Sequence, residues 1–242
     1  MTDTIARPDA ETALLPRLKK SLVAAAGTIV FGMEDGTVSI FGLIFGVAAT
    51  TSDTKTVLIA GASGAVAAAV SMMAGAYLDV ETTRDEIDAR HANFQTELKM
   101  SPDKLAASLA GRLAKAGLSA EQSTALTAAV GHDRSALGGL LLALQGTPQA
   151  PLDPREQALW MLLADFLAAA VPILPFVLLP IREGRIVSAI VTLVVLIGLG
   201  IGRARIAKRN SIRTVLETVS VGLAAAVAGV AIGVLINRAF NG

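Results

Sequence analysis

The sequence predicts an all-α membrane protein with five transmembrane helices and a small helical cytoplasmic insertion between spans two and three. Three observations carry this. Of 242 residues, 53% are hydrophobic, and the mean hydropathy is +0.60. Only 17% are charged, where a soluble globular domain carries about 25%. The charges cluster, and the apolar stretches between them approach the roughly 20 residues that a span requires.

The elements follow in order. Residues 1–20 are polar, hold Arg7, Arg17, Lys19 and Lys20, and contain no apolar run, so no cleavable signal peptide is expected. Span one covers 21–50 and is interrupted by Met33-Glu34-Asp35-Gly36, where the acids and the glycine favour an opened backbone lining a cavity. Span two, 56–80, is rich in small residues such as Gly61, Ser63, Gly64, Ala68 and Gly75. These let helices approach closely, within the chain or across a dimer interface. Span three, 157–181, carries Pro172, Pro175 and Pro180 and should kink or end early. Asp165 lies about two turns into it. Span four, 186–202, is short and uncharged. Span five, 214–237, has Glu217 in its first turn and no charge from Val219 to Ile236.

Between spans two and three, residues 81–156 read as a polar helical domain. Glu81 to Leu98 continues span two as a helix. Ser101-Pro102 starts the next, with Ser101 as N-cap and Pro102 in the first position. Leu105, Leu109 and Leu113 then form one apolar stripe, and Gly117 closes the helix. Ser119-Ala-Glu-Gln122 has capping-box spacing, and a short helix around 134–145 precedes the linker Gly146–Pro154. Its apolar surface is too small for a large core, so a partner copy is expected to support it.

Lysine and arginine placement sets the topology. Seventeen lie before span one, in 81–156 or between spans four and five, against four on the other side: Lys55, Arg182, Arg185 and Arg238. The N-terminus and 81–156 are therefore expected in the cytoplasm and the C-terminus on the far side.

Several function classes fall away. A net charge of +1 gives no general field for nucleic acid. There is no cysteine, and His91 and His132 are the only histidines, so thiolate chemistry and a multi-histidine centre within one chain are excluded. No nucleophile–base pairing, HExxH or phosphate loop is visible, and no enzyme is expected. The acids of span one stand out instead. A carboxylate near the bilayer centre costs about 2.5–3.5 kcal/mol on insertion scales, so Glu34 and Asp35 need a cation, a proton or water. An ion path is the natural hypothesis. His132-Asp133 reads as an exposed structural turn, while Asp165 and Glu217 read either as proton relays or as partners of Arg155 or Arg213.

Two motifs sharpen this. Phe31-Gly-Met-Glu-Asp-Gly-Thr-Val-Ser-Ile-Phe-Gly-Leu-Ile-Phe-Gly-Val-Ala48 and Val70-Ser-Met-Met-Ala-Gly-Ala-Tyr-Leu-Asp-Val80 resemble the span-one and span-two signatures of the vacuolar iron transporter family. Leu174–Pro180 and the basic loop leading to Gly222-Leu-Ala-Ala-Ala are similar to that family as well. The resemblance implies a divalent-metal/proton antiporter with five spans and a cytoplasmic helical insertion. It places Asp35 and Met72 in the ion path of a homodimer, with Glu34 as a second acid and Met33 and Met73 as further sulfur candidates or packing residues. Carboxylate oxygen suits Fe²⁺ and Mn²⁺, and thioether sulfur favours them over Mg²⁺ and Ca²⁺.

The chain also departs from the family pattern. Ala76 stands where a glutamate usually precedes the tyrosine, here Tyr77. The family's Met-Met-x-x-Glu element is Leu141-Leu-Ala-Leu-Gln145, and Lys104, Ala106, Ala107 and Arg112 replace expected glutamates. Glu81, Asp85, Glu86, Asp88, His91 and Glu97 remain; Glu81 and Asp85 are the metal candidates among them, and a solvated charged flank explains the group equally well.

The expectation is thus a homodimeric Fe²⁺/Mn²⁺ exporter of a bacterial plasma membrane, with H⁺ as coupling ion, no resident cofactor and no nucleic-acid partner. The alternative is a non-transporting sensor or scaffold on the same fold.

Overall fold

The computed structural model describes residues 10–131, 133–145 and 153–241, with side chains from residue 16. All regular structure among them is helical: α1 (Ala10–Ala24), α2 (Ala26–Thr50), α3 (Thr54–Met100), α4 (Pro102–Lys115), α5 (Ala120–Val130), α6 (Arg134–Gln145), α7 (Pro154–Leu178), α8 (Ile181–Ile206) and α9 (Ser211–Asn241). Five of these, α2, α3, α7, α8 and α9, are long and apolar enough to cross a membrane. The protein is an all-α integral membrane protein. The chain divides into two compact units, one of residues 1–80 and 152–242, the other of 81–151.

In the first unit α2 is the hub, packed against α7, α8 and α9. Its glycines explain how. Gly32 and Gly36 are four residues apart and share a face, which meets α7; Gly42 and Gly46 share another, which meets α9. Six residues separate Gly36 from Gly42, a rotation of about 240° at 3.6 residues per turn, so the two pairs address different neighbours. A Cβ on Gly46 would lie 2.6 Å from the carbonyl oxygen of Gly229, and one on Gly42 2.8 Å from that of Ala225. Gly229 and Gly233 in turn abut the backbones of Gly42 and Gly46. This is small-residue packing, in which bare backbones replace side chains at the seam. Ile40, Ile44, Ala48, Val57, Ala169 and Phe176 form the apolar core at the C-terminal end of α2.

The backbone of α2 corrects one expectation. Met33–Gly36 is not opened; α2 is helical from Ala26 to Thr50, and the break in the first apolar segment falls at Ala25. Gly36 serves close approach to α7 rather than an unwound turn. Span three runs through Pro172 and Pro175 and ends at Leu178. Leu179 is extended, as the residue before Pro180 must be. Ser188 of α8 donates to the Pro172 carbonyl at 2.7 Å. Span four is longer than its apolar run, because Arg182, Glu183 and Arg185 lie within α8. Arg185 donates to the carbonyls of Ala48 and Thr51 at the C-terminal end of α2, where a cation opposes the helix dipole.

Asp53 caps the start of α3. The Thr56 hydroxyl donates to it at 2.6 Å, and the Lys55 and Thr56 amides at 3.1 and 3.0 Å. The hydroxyl first, then the amides, hold this exposed carboxylate below the usual range. Trp160 donates its indole N–H to Ser21 at 2.7 Å, tying α1 to α7.

The second unit has a small leucine core. Leu105, Leu109 and Leu113 of α4 are buried with Leu137 and Leu141 of α6, flanked by Phe94 and Leu98. Ser101 sits at the N-cap without a side-chain cap bond, whereas the Ser119–Gln122 capping box is complete. Gly117 takes φ +100°, and Leu118 N–H bonds the Leu113 carbonyl at 3.2 Å, a glycine-closed helix end. Asp133 caps α6 through the amides of Ser135 and Ala136; His132 lies outside the described residues. α7 starts at Pro154, capped by Asp153, so Pro154 opens the helix rather than ending the linker, and the helix begins three residues before the expected span.

Candidate functional site

Glu34 and Asp35 are adjacent on α2 and therefore about 100° apart around it, so they meet different neighbours. Glu34 turns to α8 and α9. Arg203 approaches it at 3.3 Å and the Thr218 hydroxyl donates to it at 3.0 Å. One carboxylate thus joins three helices with its charge compensated.

Asp35 has no such partner. It is half-buried, and the next residue on α2, Gly36, abuts Asp165 on α7. Asp165 is fully buried, and neither of its carboxylate oxygens has a hydrogen-bond partner. It does not pair with Arg155. A Cβ on Gly36 would run into the Asp165 backbone and sit 3.0 Å from Oδ1, so the glycine is what lets this acid press against α2. Thr37, next along α2, is also fully buried with an unpartnered hydroxyl. Glu217, the other acid read as a relay or a partner, is bound by Arg213 at 3.2 Å and Arg209 at 3.5 Å.

Met72 lies elsewhere in the same unit. It lines a cleft of about 380 Å³ together with Phe31, Gly75, Asp79, Gln157 and Met161. Asp35 does not line that cleft. Met161 bridges the two places, since its sulfur faces Gly32, one turn before Gly36, and Asp165 follows it by four residues on α7. Met161 and Asp165 were not among the leading candidates from sequence. The signal for both was present in the four-residue spacing of Gly32 and Gly36, which matches theirs. Met33 and Met73 are partly buried and do not line that cleft.

In the second unit the acidic helix is largely exposed. Arg84 lies 4.0 Å from Glu81, and Arg90 pairs with Glu86 at 3.0 Å. Asp85 and His91 are exposed. Among the described residues no group of three or more His, Cys, Asp or Glu side chains comes together to hold a metal. Leu141, at the place of the Met-Met-x-x-Glu element, is part of the leucine core.

Comparison with known proteins fits this arrangement. The family model described as "VIT family" matches residues 26–234. The chain is similar to the "Vacuolar iron transporter" of Centaurea cyanus, 26% identical over 227 residues that cover 91% of this chain and 92% of the relative. It is similar also to "Vacuolar iron transporter 1" of Arabidopsis thaliana, 25% identical over 91% of this chain and 90% of the relative. "Vacuolar iron transporter 2" of Oryza sativa subsp. japonica is 26% identical over 83% of this chain and 82% of its own length.

Proposed function

The chain belongs to the VIT family, and from that premise we propose that it transports a divalent metal, Fe²⁺ or Mn²⁺, out of the cytosol in exchange for protons. The relatives are named as vacuolar iron transporters; for this chain the sequence reading favours export across a bacterial plasma membrane. The N-terminus and the 81–151 unit face the cytoplasm in this reading, as the lysine and arginine bias suggests.

The observation that carries the proposal is Asp35. It sits inside an apolar helix without a basic partner, while its neighbour Glu34 is already neutralised by Arg203. An unpaired carboxylate at that depth is costly unless it exchanges cations. A dication binds its ionised form and a proton its neutral form, so the two compete for one group. Met72, in its cleft with Met161, supplies soft sulfur on the same route and biases it towards Fe²⁺ and Mn²⁺. The small, exposed face of α3 (Ala62, Ser63, Ala67, Val70, Ser71 and Ala74) supports a homodimer, because such a face suits close helix pairing. In proteoliposomes, Asp35→Ala is expected to abolish metal-dependent proton flux; flux equal to that of the unmodified chain would remove Asp35 from the path.

The second unit favours one further reading. Its Leu141 packs where a metal-binding element would lie, and Glu81 and Glu86 face arginines. A non-transporting sensor or scaffold would keep such a unit. It would show no flux even with Asp35 intact.

A further inference from the structure

The end of the membrane unit where α1 meets α2 carries more positive charge than its acids answer. Thr218 lies seven residues past the start of α9 and Glu34 eight past the start of α2, and the two side chains are bonded. Further along, Ala225 and Gly229 meet Gly42 and Gly46. The two helices therefore run parallel and begin at one level, which places the α8–α9 turn beside the end of α1. Arg203, Arg209 and Arg213 are answered there by Glu34 and Glu217. Arg17, Lys19 and Lys20 of α1, with Arg205 and Lys208 at the turn, are exposed and make no ion pair among the described residues.

Two features set these charges apart from a plain topology signal. Apolar side chains stand exposed among them: Leu18 and Leu22 share one face of α1, flanked by Arg17 and Lys19, and Ile206 and Ile212 lie on either side of the turn. Basic groups interleaved with open apolar ones match headgroups over acyl chains, not a soluble polyanion. Lys208 also takes φ +51°, a left-handed conformation that glycine adopts without strain. Arg209 N–H closes that turn on the Ala204 carbonyl at 2.9 Å. The chain keeps a lysine where a glycine would fit more easily, and such an outlier points to use of the charge. Trp160, the only tryptophan, bonds Ser21 of α1, as befits a side chain of the membrane–water interface.

We propose that α1 and the α8–α9 turn form one surface for anionic phospholipid, whose headgroup phosphates lie against Arg17, Lys19, Lys20, Arg205 and Lys208. A leaflet asks only that these groups share a level, not that they converge on one point. Each such charge favours an anionic over a neutral surface by roughly fivefold, and salt screens the effect. The leaflet is the cytoplasmic one in the topology proposed above, and the binding is independent of metal transport.

Trp160 supplies the reporter. The full-length chain is reconstituted in phosphatidylcholine containing a minor share of phosphatidylglycerol, and tryptophan quenching is read with one lipid or the other brominated high on its acyl chains. Brominated phosphatidylglycerol is expected to quench as though enriched about threefold or more over its share, and added salt to reduce that enrichment. Lys19→Gln, Lys20→Gln, Arg205→Gln and Lys208→Gln combined should abolish it. Arg205→Gln with Lys208→Gly removes the charge of the turn while easing its backbone, and should lose about half of the enrichment. This pair decides the matter should the fourfold variant fail to fold. Equal quenching by the two lipids in the unmodified chain, or full enrichment in the folded variant, would overturn the surface. Inorganic phosphate in excess, compared with chloride at matched ionic strength, should leave the enrichment in place. Its specific loss to phosphate would put the bound anion in solution and overturn the lipid assignment.

Discussion

Adjacent acids in one helix have been given different work by the rotation of the helix between them. Glu34 is held by Arg203 and Thr218, with its side chain 13% exposed and that of Arg203 43% exposed. A pair this open to solvent contributes at most about 1 kcal/mol. Glu34→Gln keeps the threonine bond and loses the ion pair. It should lower the unfolding temperature slightly and leave metal flux in place, as paired melting and vesicle assays of the variant would show. Asp35→Asn, which removes a charge with no basic partner, should stop flux without loss of stability. The opposite ordering of the two variants would mean that the acids exchange roles.

At the scale of elements, the α2–α9 seam is the feature most sensitive to volume. Gly229 rests on the backbone of Gly42, and Gly46 on that of Gly229, so neither side has a flexible chain that could move aside. Gly229→Leu should destabilise the protein by about 3 kcal/mol or more, at the upper end of overpacking costs. Gly198, on α8, is the contrasting case, because a Cβ added there would meet nothing within 4 Å. Gly198→Ala should therefore leave stability unchanged or raise it by about 0.5–1 kcal/mol, through helix propensity. Thermal unfolding of the two variants side by side checks both.

The elements themselves were largely legible in sequence. Hydropathy found all five spans, the leucine stripe found the core of α4, and the Ser119–Gln122 spacing found its capping box. What hydropathy could not find was the extent of α8, because Arg185 reads as loop until it is seen capping α2. It also could not tell that Met33–Gly36 stays helical. Gly36 signals either an opened backbone or a close approach, and only the neighbour decides. Asp165 was visible as an acid in a span, but its lack of partners depends on where three other helices place their arginines.

For the whole molecule, the exposed small residues of α3 bear most directly on assembly. A face of alanine and serine with one valine gives lipid little to grip and a second helix much to pack against. If it is the dimer face, the purified chain should run as a dimer by light scattering, and Ala67→Trp should shift it to monomer. A Trp variant that remains fully dimeric would move the interface elsewhere. In the proposed reading metal handling falls to the membrane unit, because the 81–151 unit has a leucine core and sets Glu81 and Glu86 beside arginines.

The most direct measurement is counterflow in proteoliposomes: an inward Mn²⁺ gradient, an internal Mn²⁺ indicator and an internal pH reporter, read for the unmodified chain and for Asp35→Ala. Metal entry matched by proton exit, lost in the variant, is the result expected of a carboxylate-gated exchanger. Equal metal flux in both, or none through the unmodified chain, would contradict it.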